Sequence, residues 1–143
     1  MNIPLKKLSE NAIVPKNAYV GDGGVDLYST ESVSLKPFQR ALVGTGIALE
    51  LPAGFAAFVV PRSGLAINEG LSLVNSPGLI DSNYRGEIKA ILINLDPENT
   101  IEIKPGDRIC QLVISPVETP TFIPVNFLIS SERGEGGFGS SGV

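Results

Sequence analysis

The sequence predicts an all-β protein. Short runs rich in Val, Ile and Leu follow one another along the chain, and the 16 Gly and 11 Pro fall between them as turn residues. A single stretch reads as helical. In order, Gly24-Val25-Asp26-Leu27-Tyr28 alternates apolar with polar or small residues, as a half-buried strand does. Residues 41–51 are rich in Val, Ile and Leu but interrupted by Gly44 and Gly46. Residues 55–60 form a compact apolar run that stops at Pro61. One short helix is expected over 63–70, opening at Ser63. Residues 86–95 read as a long strand, Ile101-Glu102-Ile103 alternates strictly, and 108–115 form a further strand ending at Pro116. Strands this short and this closely spaced build a sandwich or barrel. No internal repeat or linker divides the chain, so residues 1–132 are expected to form a single domain, followed by a Gly-rich tail over 133–143.

Composition narrows the function. The chain has 143 residues, of which 43% are apolar, enough for one core. A net charge of −4 argues against a nucleic-acid surface, which needs a basic face. Asn2 to Lys7 lacks the apolar core of a secretory leader, and no apolar run reaches membrane-spanning length, so a cytoplasmic protein is expected. The sequence contains no His, which excludes an imidazole base or ligand. Cys110 is the only cysteine, so a Cys-ligated zinc site within one chain is excluded, and with it zinc-dependent base deamination. Lying between Ile109 and Gln111, Cys110 reads as a small core residue. A catalytic base is then expected to be a carboxylate.

Three segments carry phosphate-type chemistry. Pro61-Arg62-Ser63-Gly64 follows an apolar run and offers a forked donor, a hydroxyl and an approachable backbone. By itself it is also an ordinary turn. Pro105-Gly106-Asp107-Arg108 precedes a strand and reads, on its own, as a hairpin turn with a surface ion pair. Arg133 opens the tail, which sets one Arg and one aromatic, Phe138, among glycines. Two carboxylates stand out. Asp81 lies between apolar stretches. Asp26 sits inside a strand pattern, where its propensity is poor and a reason for it is needed.

Together these residues resemble the trimeric dUTP pyrophosphatase family along nearly the whole chain. The family's five motifs have counterparts in order. They are Gly24-Val25-Asp26-Leu27-Tyr28-Ser29, then Pro61-Arg62-Ser63-Gly64-Leu65-Ala66, then the long segment from Asn75 through Asp81, Tyr84 and Gly86 to Glu87. The fourth is Pro105-Gly106-Asp107-Arg108-Ile109-Cys110-Gln111-Leu112, and the fifth runs from Arg133 to Gly142.

The resemblance implies a distorted jelly-roll or β-clip-like barrel. It also implies a homotrimer with shared sites, each closed by a flexible, swapped C-terminal arm over 133–143. The implied activity is Mg²⁺-dependent hydrolysis of dUTP to dUMP and pyrophosphate, which supplies dUMP for dTTP synthesis and keeps uracil out of DNA. By the resemblance, water is expected to attack the α-phosphorus with Asp81 as the base. Tyr84 is expected to stack beneath the deoxyribose and exclude a 2′-hydroxyl. A hairpin over 75–89 is expected to read uracil, with Asn75, Gly78, Leu79, Ile80 and Lys89 on the nucleoside. Arg62, Ser63, Gly64 and Gln111 match phosphate contacts. Arg133 is expected on the γ-phosphate, Phe138 over the uracil ring, and Gly139, Ser140 and Ser141 beside the phosphates. Asp26, Asp107 and Arg108 are expected in support, Asp26 behind the site and the other two bracing the subunit architecture. Magnesium is expected on the triphosphate oxygens and water rather than in a protein cage. The competing readings are a dCTP deaminase of the same fold and a phage-type signalling protein that binds a repressor. The full glycine-rich fifth motif and the spacing of Asp81 and Tyr84 favour the pyrophosphatase, and the short intervals between motifs leave little room for the signalling insert.

Overall fold

The computed structural model describes residues 1–137. Eleven strands and one helix succeed one another in the order β1 (Leu5–Lys7), β2 (Gly24–Tyr28), β3 (Val33–Leu35), β4 (Arg40–Gly44), β5 (Ile47–Leu49), β6 (Phe55–Val60), α1 (Ser63–Glu69), β7 (Leu71–Leu73), β8 (Gly78–Ile80), β9 (Lys89–Asn94), β10 (Ile101–Ile103) and β11 (Arg108–Pro116). The all-β expectation holds, and so does the single short helix.

The strands form a four-stranded sheet in the order β2-β11-β6-β8 and a three-stranded sheet in the order β4-β9-β7. Two antiparallel ribbons, β1-β5 and β3-β10, complete the fold. Alternation does the sorting. Along β9, Ala90, Leu92 and Asn94 point inward while Ile91 and Ile93 are only half-buried. Ile101 and Ile103 are buried on either side of exposed Glu102. Leu27, Val59, Cys110 and Leu112 from the larger sheet meet Val43, Leu71, Leu73 and Leu92 from the smaller one in a single core. Burying each such Leu or Val side chain contributes about 1.5–3 kcal/mol.

The structure adds the short strands β1, β3, β7 and β8 to those the sequence marked, and it differs from the sequence expectation elsewhere too. The 41–51 stretch is two strands, because Gly46 at φ 68° turns the chain between β4 and β5. A side chain there would also collide with Ala12 and Thr30, each 2.8 Å from a built Cβ. The 86–95 strand begins only at Lys89. The arms of the 75–89 segment do not pair as a hairpin: β8 adds to β6, whereas β9 lies between β4 and β7. Pro105-Gly106-Asp107 is likewise no hairpin turn, since β10 pairs with β3 and β11 with β2 and β6.

Asn94 has the most consequential buried polar side chain. It is fully buried, donates to the carbonyls of Leu35 at 2.8 Å and Asn99 at 2.7 Å, and accepts from the Asp96 N–H at 2.8 Å. Truncation would take a partner from three backbone groups. Asn94→Ala is therefore expected to destabilise the fold by about 2–4 kcal/mol, read as a lower urea midpoint at unchanged slope. A midpoint within error of the parent would show these bonds to be dispensable.

Beyond Pro116 the chain leaves the sheets. Residues 117–130 have no strand or helix, and Phe122, Phe127, Leu128 and Ile129 are 85% exposed or more.

Candidate active site

The predicted residues fall into two groups. The first surrounds Asp26. In the register of the larger sheet, Gln111 on β11 lies opposite both Asp26 on β2 and Val60 on β6. Arg62 follows Val60 by two residues and so is carried to the same face. The Asp26 carboxylate accepts from Arg62 Nε at 2.9 Å, Arg108 Nη1 at 3.3 Å and Gln111 Nε2 at 3.4 Å. This answers why an Asp sits in a strand: it holds two guanidiniums from distant segments. The side chains of Asp26 and Arg62 are largely buried, at 15% and 23% exposure. Arg62 spends one further N–H on the Arg108 carbonyl at 3.4 Å. A guanidinium has five donors, so others remain for a ligand. Ser63 and Gly64 are exposed at the start of α1, where no side chain caps the helix.

Asp107 accepts from its own turn, at the Lys104 N–H (2.8 Å), and its carbonyl takes the Ser29 N–H at 2.9 Å. It thus ties the turn to the end of β2, and the ion pair of this segment runs from Arg108 to Asp26 rather than to Asp107. Cys110 is fully buried beside this cluster. Burial, reinforced by the Asp26 charge and partly opposed by Arg62, pushes its thiol up to about 12, which removes it as a nucleophile.

The second group lines a cavity of about 330 Å³ at the mouth between the two sheets. Asn75, Leu79, Ile80, Asp81, Tyr84 and Lys89 all contribute to it. Gly78 lies beneath, on β8 opposite Val59. The turn after β8 is held from several sides. The Tyr84 N–H reaches the Asp81 carbonyl at 3.1 Å, and Arg85 Nη1 donates to the carbonyls of Ser82 at 2.6 Å and Tyr84 at 3.0 Å. The Tyr84 hydroxyl donates to the Glu87 carbonyl at 3.0 Å. Asp81 is exposed, and among the described residues its carboxylate has no hydrogen bond or ion pair.

Three lining residues had no assigned role from sequence: Leu42, Glu87 and Ile91. Glu87 accepts the Gly46 N–H at 2.9 Å and holds Lys89 Nζ at 3.3 Å, tying the cavity to the β4–β5 corner. Its place in the third motif was a signal that could have found it. Leu42 and Ile91 face each other across β4 and β9, a pairing with no local signature.

The two groups do not meet within one chain. The register places Ile80 opposite Ala57, so Asp81 lies near the start of β6, whereas Arg62 lies past its end. Six extended residues span about 20 Å. Arg133 is also apart: it is exposed, and its Nε donates to the nearby Gly136 carbonyl at 2.7 Å. Phe138, Gly139, Ser140 and Ser141 lie outside the described residues.

The dUTPase family profile matches residues 10–142. The chain belongs to the dUTPase family. A deoxyuridine 5′-triphosphate nucleotidohydrolase of Rhodococcus erythropolis is 54% identical over 142 residues, covering 99% of this chain and 87% of that protein. Among solved dUTPase structures, a Staphylococcus bacteriophage 80alpha variant with dUpNHpp superposes with a TM-score of 0.91 at 32% identity, covering 99% of both chains. A dUTPase variant from phage phi11 of S. aureus, in which a structural Mg(II) ion is coordinated, has a TM-score of 0.82 at 27% identity over 89% of this chain and 98% of that one. These relatives share the all-β dUTPase fold. No described helix is long and apolar enough to cross a membrane.

Proposed function

We propose that this protein hydrolyses dUTP to dUMP and pyrophosphate, with Asp81 as the general base. The observation that carries the reading is the cavity that gathers Asn75, Leu79, Ile80, Asp81, Tyr84 and Lys89 around a carboxylate that has no partner among the described residues, in a chain of the dUTPase family. Asp81 takes a proton from water as the water oxygen bonds to the α-phosphorus. The bond from that phosphorus to the bridging oxygen breaks, and pyrophosphate leaves with the electron pair. The cavity walls, Leu79 and Ile80 with Leu42 and Ile91, suit a flat base; Tyr84 lines the same cavity, and in this reading it bounds the sugar side.

The active unit is a homotrimer with shared sites. The separation of about 20 Å between Asp81 and Arg62 along β6 supports this, because one triphosphate cannot engage both within a single chain. The guanidiniums held by Asp26 then serve the phosphates bound at another subunit's Asp81, and Arg133 with the tail closes that site. The bare apolar run holding Phe122, Phe127, Leu128 and Ile129 is suited to cover by another copy.

Magnesium fits as a passenger of the substrate. Among the described residues no cluster of three carboxylate, His or Cys ligands exists, and Asp26 is engaged by Arg62, Arg108 and Gln111. Magnesium often binds through phosphate oxygens and retained waters. When bound it neutralises charge on the triphosphate.

A nucleotide panel tests the reading. dUTP should yield dUMP and pyrophosphate, with Mg²⁺ required for full rate. dCTP, dTTP and UTP should be poor substrates, because a pocket fitted to uracil and deoxyribose leaves polar groups unpaired or atoms clashing against each of them. Ammonia released from dCTP would favour a deaminase instead, and inertness toward every nucleotide would favour a binding protein.

A further inference from the structure

We infer that Gly86 is a positioning residue for Tyr84, and through Tyr84 a determinant of sugar selectivity; the second part rests on the function proposed above. Glycine at 86 is not explained by the backbone. Gly86 is absent from the glycines in the left-handed region, so an alanine could adopt its conformation. What forbids a side chain is Tyr84. A Cβ built on Gly86 would lie 2.5 Å from Cζ and 2.9 Å from Cε2 of that ring, with its hydroxyl also in collision. All three of the nearest atoms belong to Tyr84.

The ring is laid back across Gly86 so that its hydroxyl can reach the Glu87 carbonyl at 3.0 Å. At its other end the Tyr84 N–H is held by the Asp81 carbonyl at 3.1 Å. The residue that bounds the sugar side and the residue that carries the base are thus parts of one turn, and Gly86 is the space into which the ring folds. Tyr84 is 45% exposed, so a displaced ring has room to swing outward. A methyl group at 86 is therefore expected to move the side chain rather than the backbone. The hydrogen bond to Glu87 would break, and the wall against a 2′-hydroxyl would lose its place.

Gly86→Ala tests this with two independent readouts. The chain has 3 Tyr, so tyrosine-ring NMR can follow each one. The Tyr84 resonances, assigned through Tyr84→Phe, should move in Gly86→Ala while those of Tyr19 and Tyr28 stay in place. Kinetically, the ratio of kcat/KM for dUTP over UTP should fall by about tenfold or more, the scale of a misplaced positioning group. In a Tyr84→Ala background, Gly86→Ala should change that ratio no further. Unmoved Tyr84 resonances would overturn the positioning role. An unchanged ratio, in a parent that does discriminate, would overturn the selectivity role. A parent that does not hydrolyse dUTP would sink the proposed function while the NMR readout still decides whether Gly86 seats the ring. If Gly86→Ala fails to fold, adding Tyr84→Ala must restore folding, since the ring is the obstacle; failure of that rescue refutes the inference.

Discussion

Asp81→Asn is expected to fold, to bind dUTP with an affinity near that of the parent, and to lose turnover by about 10²–10⁴-fold, the usual contribution of a general base. The physical basis is the isolation of the carboxylate. Asp81 is exposed on the turn after β8, and its side chain supports nothing else among the described residues. The turn is shaped by main-chain groups and by Arg85 and Tyr84. An amide of the same shape therefore removes proton acceptance without removing a brace. Rapid-quench turnover alongside equilibrium dUTP binding separates the two. If chemistry proceeds within a few-fold of the parent, another group is the base. If binding and thermal stability collapse together, Asp81 is a structural residue.

The second large effect concerns the distance between Arg62 and Asp81. Arg62→Ala removes a guanidinium that Asp26 holds, the one proposed to serve the phosphates, and Asp81→Asn removes the proposed base. Each variant alone should be nearly inactive. Their subunits, unfolded together in equal amounts and refolded, should recover about a quarter of parental activity, the statistical share of sites that draw an intact Asp81 from one subunit and an intact Arg62 from another in a cyclic assembly. The prediction follows from strand register. Asp81 lies beyond Ile80, which pairs with Ala57, and Arg62 lies past Val60 at the far end of the same strand. Absence of recovery after refolding, with both variants shown to assemble, would mean that the two residues act in one chain's site, contrary to the shared-site reading.

Much of this was legible beforehand because it is local. Pro61 and Pro116 limit β6 and β11 for a chemical reason: proline cannot donate to a sheet ladder. Alternation over Gly24–Tyr28 and Ile101–Ile103 marked both strands and, in the second, the buried face; in the first only Leu27 is fully buried and the Asp26 side chain is largely covered as well. The helix after Ser63 was visible in a stretch that ends at Gly70. Other strands, β1, β3, β7 and β8, have three residues each and were passed over, since a run that short shows at most one period, which was read only at β10.

The site divides in the same way. Sequence alone determined the chemistry available: no imidazole, one thiol, and carboxylates, Arg, Tyr and Gly at recognisable spacings. It could not say that Arg62 and Arg108 share Asp26, partners 36 and 82 residues away along the chain. It could not say that Glu87 faces Gly46, or that Leu42 and Ile91 wall the cavity with Leu79 and Ile80. Only the tertiary structure decided these points, along with the assignment of β8 and β9 to different sheets. The reason is that apolar alternation sets which face of a strand is buried, whereas pairing partner and register follow from closing long loops against competing edges.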